Sequence, residues 1–107
     1  MSKVWFITGC STGFGRSLAK EVLQKGFKAV VTSRKKEDVL DITSDYPQSS
    51  LAIKLDVTNP EEIAAAVAEA VAHFGKIDVL VNNAGIGYFG AIEESDEAEV
   101  RKMFEMK

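Results

Sequence analysis

The stretch from Ile7 to Ala19, ITGCSTGFGRSLA, sets three glycines between an apolar run and an amphipathic one. A chain is built this way where a strand turns sharply into a helix and something must approach the backbone too closely for side chains. Val4 to Ile7 leads into the loop, and β-branched apolar runs of the same kind return at Ala29-Val30-Val31, Leu51 to Leu55 and Ile77 to Val81. Apolar on both faces, these runs fit strands buried in a parallel sheet. Helical patterns lie between them. Leu18, Val22 and Leu23 share a face between Gly15 and Gly26, while Ile63, Val67, Val71 and Phe74 keep helical spacing up to Gly75.

The helix before Gly75 carries its own start signal: Asn59 as N-cap, Pro60 at the first helical position, and Glu62 placed as in a capping box. Lys35 to Tyr46 has a weaker period and reads as a short helix before the turn at Pro47. A last helix is expected to start near Ser95 or Asp96 and carry Val100, Met103 and Phe104 inward. Strands alternating with helices through right-handed crossovers give an α/β fold, a doubly wound parallel sheet, most simply in the order 3-2-1-4. The 107 residues, 46% hydrophobic and 27% charged, suit one soluble domain or part of one.

In such a sheet the glycine loop falls at the carboxyl edge, where open α/β sheets bind ligands. Gly9 permits the exit from the strand, Gly13 lets the backbone approach a pyrophosphate, and Gly15 lets the helix pack closely on the sheet. The free N–H groups and positive dipole end of that helix then face the phosphates. A tight loop with no ligand is the competing reading of the glycines alone. No Gly-Lys-Ser/Thr follows them, so this is not a P-loop of the nucleotide-hydrolysing kind.

Thr8-Gly9-Cys10-Ser11-Thr12-Gly13-Phe14-Gly15 resembles the Thr-Gly-x-x-x-Gly-x-Gly segment of the short-chain dehydrogenase/reductase family. Asn82-Asn83-Ala84-Gly85 matches that family's Asn-Asn-Ala-Gly, and Asp56-Val57 matches its adenine-contact pair. The three motifs stand in register across the chain. The resemblance implies a Rossmann-type dinucleotide-binding fold, of which residues 1–107 are the N-terminal portion. It also implies hydride transfer between a nicotinamide cofactor and a small-molecule carbonyl or alcohol. Ser11, Thr12, Phe14 and Gly15 would line the pyrophosphate and adenosine side. The Asp56 carboxylate would accept from the adenine amino group, and the Val57 N–H would donate to the ring. Asn83, Ala84 and Gly85 would pass beneath the riboses, with Asn82 either tying the fourth strand to its neighbours or touching the ligand.

Cofactor choice turns on the end of the second strand. A carboxylate there would bind the ribose 2′-hydroxyl and repel a 2′-phosphate. This chain has Thr32-Ser33-Arg34 instead. A charge-assisted hydrogen bond from Arg34 to a 2′-phosphate, worth roughly 1.5–3 kcal/mol, would favour NADP over NAD by about ten- to a hundredfold. The competing reading is an exposed Arg34 that only solvates the loop beside Lys35 and Lys36.

The reacting acid or base is not found here. The family uses a Tyr-x-x-x-Lys pair, but Tyr46 is followed four residues on by Ser50 and Tyr88 by Ile92. No catalytic residue is assigned, and the 107-residue chain alone is expected to be inactive, a cofactor half-site or a non-catalytic dinucleotide-binding module. Lys107 stands where the family usually has a catalytic asparagine, either as a substitution or as a boundary. With the later strands missing, Ile77 to Val81 is expected to leave an apolar edge unpaired.

Other classes find little support. Thirteen basic and sixteen acidic residues give a net charge of -3, without the basic stripe a nucleic-acid partner needs. The acidic residues from Glu93 to Glu99 lack metal-ligand spacing, and no metal site is expected. The apolar run at Val4 is too short for a secretory leader or membrane span, and the lone Cys10 suits a reducing cytoplasm. Cys10 reads as a packing residue and His73 as a helix-end donor. The resembled family often forms homo-oligomers.

Overall fold

The computed structural model describes residues 2–83 and the backbone of 89–91. Its elements run β1 (Val4–Ile7), α1 (Gly13–Gln24), β2 (Lys28–Ser33), a 3-10 turn (Lys36–Val39), α2 (Leu40–Asp45), β3 (Ser50–Lys54), α3 (Pro60–Phe74), β4 (Val79–Val81) and β5 (Phe89–Ala91). The sheet order is β3-β2-β1-β4-β5. The first four strands are parallel, as their two-sided apolar character implies, with Phe6 opposite Val30 on one side and Leu80 on the other.

Side chains of successive strand residues point to opposite faces, so each short strand feeds two cores. Val4 and Phe6 of β1 join Val30, Ile53 and Leu80 beneath α3, which contributes Ile63, Ala66, Val67 and Ala70. Ile7 joins Ala29, Val31, Val79 and Val81 beneath α1 and α2, with Ala19, Val22, Leu23 and Ile42 above them. α1 and α2 thus lie on one face and α3 on the other. The reversal falls between β1 and β4, and it is beyond the carboxyl ends at such a point that open α/β sheets bind ligands.

Three details differ from the sequence-based expectation. β4 is confined to Val79–Val81, because Asp78 turns its carboxylate back to accept from the Val4 N–H at 2.8 Å and to pair with Lys76 at 3.0 Å. The far edge of β4 is paired, since Phe89–Ala91 runs antiparallel along it. The capping box of α3 is half formed. Asn59 Oδ1 accepts from the N–H groups of Glu61 and Glu62, but the Asn59 N–H donates to the Asp56 carbonyl at 2.9 Å. The Glu62 carboxylate therefore turns to the Asp56 N–H at 2.9 Å and to Lys54 at 3.0 Å. The expected helix from Ser95 lies outside the described residues. No helix among the described residues is long and apolar enough to cross a membrane.

Candidate cofactor site

The carboxyl ends of β1, β2 and β4 meet at the glycine loop. The Thr8 N–H donates to the Val81 carbonyl at 3.0 Å and the Cys10 N–H to the Thr32 carbonyl at 2.8 Å, so the loop leaves β1 anchored to both neighbouring strands. Gly9 and Gly13 hold φ values of 66° and 67°, a region that side-chain-bearing residues rarely adopt. A Cβ on Gly13 would point into open space, where a ligand can come up to the backbone.

Gly15 stands where close approach leaves no room for a side chain. A Cβ there would lie 2.3 Å from the Gly9 carbonyl oxygen and 2.8 Å from Asn83 Nδ2. The close packing is therefore against the loop itself and the end of β4, where Asn83 Nδ2 donates to the Gly9 carbonyl at 3.2 Å. Beside it the buried Thr8 hydroxyl donates to Asn82 Oδ1 at 3.1 Å. Asn82 thus ties β4 to β1. Ala84 and Gly85 lie outside the described residues.

The start of α1 is open. Thr12 at the N-cap has extended backbone and makes no side-chain cap bond, and no acidic residue stands in the first turn. The leading N–H groups are thus left for solvent or an anion. Ser11 is half-buried beside Thr12, and Phe14 in the first turn of α1 is 65% exposed.

At the end of β2, Thr32 and Ser33 are buried and Arg34 is exposed. The Thr32 hydroxyl donates to the Ile7 carbonyl at 3.1 Å, and Ser33 Oγ accepts from the Lys35 N–H at 3.3 Å. Beyond β3, Asp56 Oδ1 accepts from both the hydroxyl and the N–H of Thr58, at 2.7 and 3.0 Å. The Thr58 bonds hold the Asp56 carboxyl below its ordinary range, with Arg34 and Lys54 adding to them. Glu62 is lowered likewise, first by the Asp56 N–H and then by Lys54. Asp56 is therefore an ionised acceptor on the rim, near the Arg34 guanidinium, and half-buried Val57 packs against the α3-side core.

Two other residues are placed by their surroundings. Cys10 is buried, its thiol donating to the Ile7 carbonyl at 3.3 Å, and burial pushes its pKa up to about 12. His73 is exposed in the last turn of α3, edge-on to Phe74, at the amino edge of the sheet and away from the loop. Among the described residues no cluster of three His, Cys, Asp or Glu side chains could hold a metal ion.

Residues 3–107 match the family model for short chain dehydrogenases. The oxidoreductase calM of Penicillium decumbens is 41% identical over 105 residues, which cover 94% of this chain and 34% of that protein. A short-chain dehydrogenase from Streptomyces avermitilis superposes with a TM-score of 0.76 at 43% identity, over 99% of this chain and 39% of that one. The 3-ketoacyl-(acyl-carrier-protein) reductase of Brucella melitensis, solved with NADH, superposes at 0.73 and 40% identity, over 79% and 35%. Fold, loop and sequence thus define a Rossmann-type α/β class. The chain belongs to the short-chain dehydrogenase family, and it spans about a third of the length of curated relatives such as calM.

Proposed function

We propose that residues 1–107 form the cofactor-binding portion of an NADP(H)-dependent short-chain oxidoreductase acting on a carbonyl or alcohol. The observation that carries this reading is the open start of α1. Its N-cap makes no side-chain bond, the position beyond Gly13 is empty space, and Phe14 is exposed beside it. A dinucleotide fits these features. Its pyrophosphate would take the N–H groups from Ser11 to Gly15, the Phe14 side chain would cover part of the ligand, and Gly9 would keep the turn. Asp56 and Val57 would hold the adenine, with Asn83, Ala84 and Gly85 along the riboses. The nicotinamide supplies or accepts the hydride when bound.

NADP(H) is preferred because Thr32-Ser33-Arg34 places no carboxylate at the end of β2 and leaves Arg34 exposed, ready for a 2′-phosphate. Solved relatives in this family include complexes with NADH, NADPH and NADP, so the strand end must decide. Neither Tyr46 nor Tyr88 has a lysine four residues on, so this chain alone binds without turnover, in a cytoplasmic setting that keeps Cys10 reduced. Calorimetric titration of the chain with NADPH and NADH tests the reading. NADPH should bind about ten- to a hundredfold more tightly, corresponding to roughly 1.5–3 kcal/mol. A Ser33→Asp, Arg34→Ser double variant should reverse the order. An unchanged NADPH affinity in that variant would show that this loop does not select the cofactor.

A further inference from the structure

Arg16 occupies the first turn of α1, where the helix dipole disfavours a cation. Its guanidinium does not face the open helix end. Nη1 donates to the Asp38 carbonyl at 3.2 Å and Nη2 pairs with the Asp41 carboxylate. Asp38 closes the 3-10 turn through its N–H, which donates to the Lys35 carbonyl at 3.0 Å, and the Lys35 N–H donates to Ser33 Oγ at 3.3 Å. An unbroken line of hydrogen bonds therefore runs from the last residue of β2 through Lys35 and Asp38 to the glycine-loop helix. Arg34 sits inside that line with its side chain exposed. Desolvation opposes ionisation of Asp41, and the hydrogen bond and charge of Arg16 outweigh it, holding the carboxyl below its ordinary value. The two arginines thus divide the work: one is committed to protein oxygens, the other left for a ligand.

We propose that Arg16 is a positioning residue for cofactor selectivity, clamping residues 38–41 to the start of α1 so that Arg34 is held where a ribose 2′-phosphate arrives. The planar fork suits this task, because it grips a carbonyl and a carboxylate at once, which an ammonium cannot do in one plane. The proposal rests on the NADP(H) reading and assigns its precision to a residue that touches no cofactor. Without the clamp the 3-10 turn is held by its own hydrogen bonds and by the buried Val39 and Ile42, and the exposed Arg34 before it spreads over more positions. Affinity for the 2′-phosphate falls while the pyrophosphate site, anchored through Cys10 and Thr8, stays as it is.

Adenosine 2′,5′-bisphosphate and adenosine 5′-monophosphate differ only in the 2′-phosphate, and calorimetry of both ligands on the whole chain isolates it. In Asp41→Asn and in Arg16→Gln the ratio of the two affinities should fall at least fivefold, with monophosphate binding within twofold of the unmodified chain and circular dichroism unchanged. Arg34→Ser serves as the control for the selectivity site. Should Arg34→Ser lower the ratio while both clamp variants keep it, the clamp is refuted and the NADP(H) reading stands. Equal losses for both ligands in the clamp variants would make Arg16 merely structural and overturn the proposal. An unmodified chain that does not distinguish the two ligands would remove the NADP(H) reading, and the clamp with it.

Discussion

α1 and α3 both rise from the carboxyl edge of the sheet behind an extended residue, yet their first turns are finished in opposite ways. At α3, Asn59 Oδ1 takes two N–H groups, Pro60 contributes none, and Glu61 and Glu62 offset the dipole. At α1, Thr12 caps nothing, no acid is present, and a cation stands in the turn. Leaving N–H groups free is unfavourable for folding unless solvent or a ligand takes them. One helix end is closed by a side-chain cap and the other is left open, on a single small sheet. On the proposed reading, the glycine loop is shaped by the anion it receives.

The sharpest way to break the open end is Gly15→Ala. The added methyl would meet the Gly9 carbonyl oxygen, a backbone atom that cannot swing aside, and the Asn83 amide bonded to it. Overpacking of this kind costs typically about 1–3 kcal/mol, and the loop must shift. NADPH binding is expected to vanish in calorimetry, with a matching drop in urea stability. Retained binding would mean that the Gly9–Asn83 contact is not what shapes the site.

Closing the open end by design is gentler. Thr12→Asp gives α1 the cap that α3 has, placing a carboxylate where phosphate would sit. NADPH affinity should fall about tenfold or more, roughly 1.4 kcal/mol, while the chain gains about 0.5–1 kcal/mol of stability. An unchanged affinity would move the pyrophosphate off this helix. The converse variant, Asn59→Ala, should cost about 1 kcal/mol in denaturant melts and leave NADPH affinity within twofold. A large loss of binding there would tie α3 to the site more closely than its geometry implies.

Much of this contrast is legible in sequence, because helix starts and buried parallel strands are written in local signals. Asn59-Pro60, the β-branched runs and the glycine spacing each act within a few residues. What escaped reading is competition and distance. Glu62 stands where a capping box needs it, but the Asn59 N–H is already taken by the Asp56 carbonyl, so the carboxylate goes elsewhere. The Asp78 bond to Val4 spans 74 residues and the Arg16 pair with Asp41 spans 25, and neither has a local pattern. Gly15 was legible as a need for close approach; that the approaching groups are Gly9 and Asn83 follows only from the folded loop. The pairing of Phe89–Ala91 with β4 was likewise hidden, since three residues containing a glycine carry little strand signal.

Cys10 gives the mildest test of how far the opening reaches. Its thiol lies within the loop yet is fully buried, with a pKa of about 12 against an ordinary value near 8.5 in unfolded chains. A group whose folded pKa is raised favours folding below the unfolded value and loses that contribution as pH climbs toward the folded one. Cys10 should therefore leave stability flat up to about pH 8.5 and weaken it above, an alkaline slope that Cys10→Ala removes. The buried thiol is also held neutral, whereas the thiolate is the reactive form, so iodoacetamide at pH 8 should label the native chain far more slowly than the urea-unfolded one. Labelling at the unfolded rate would show that the loop opens down to the sheet, and that the open end of α1 is a breathing element rather than a preformed cradle.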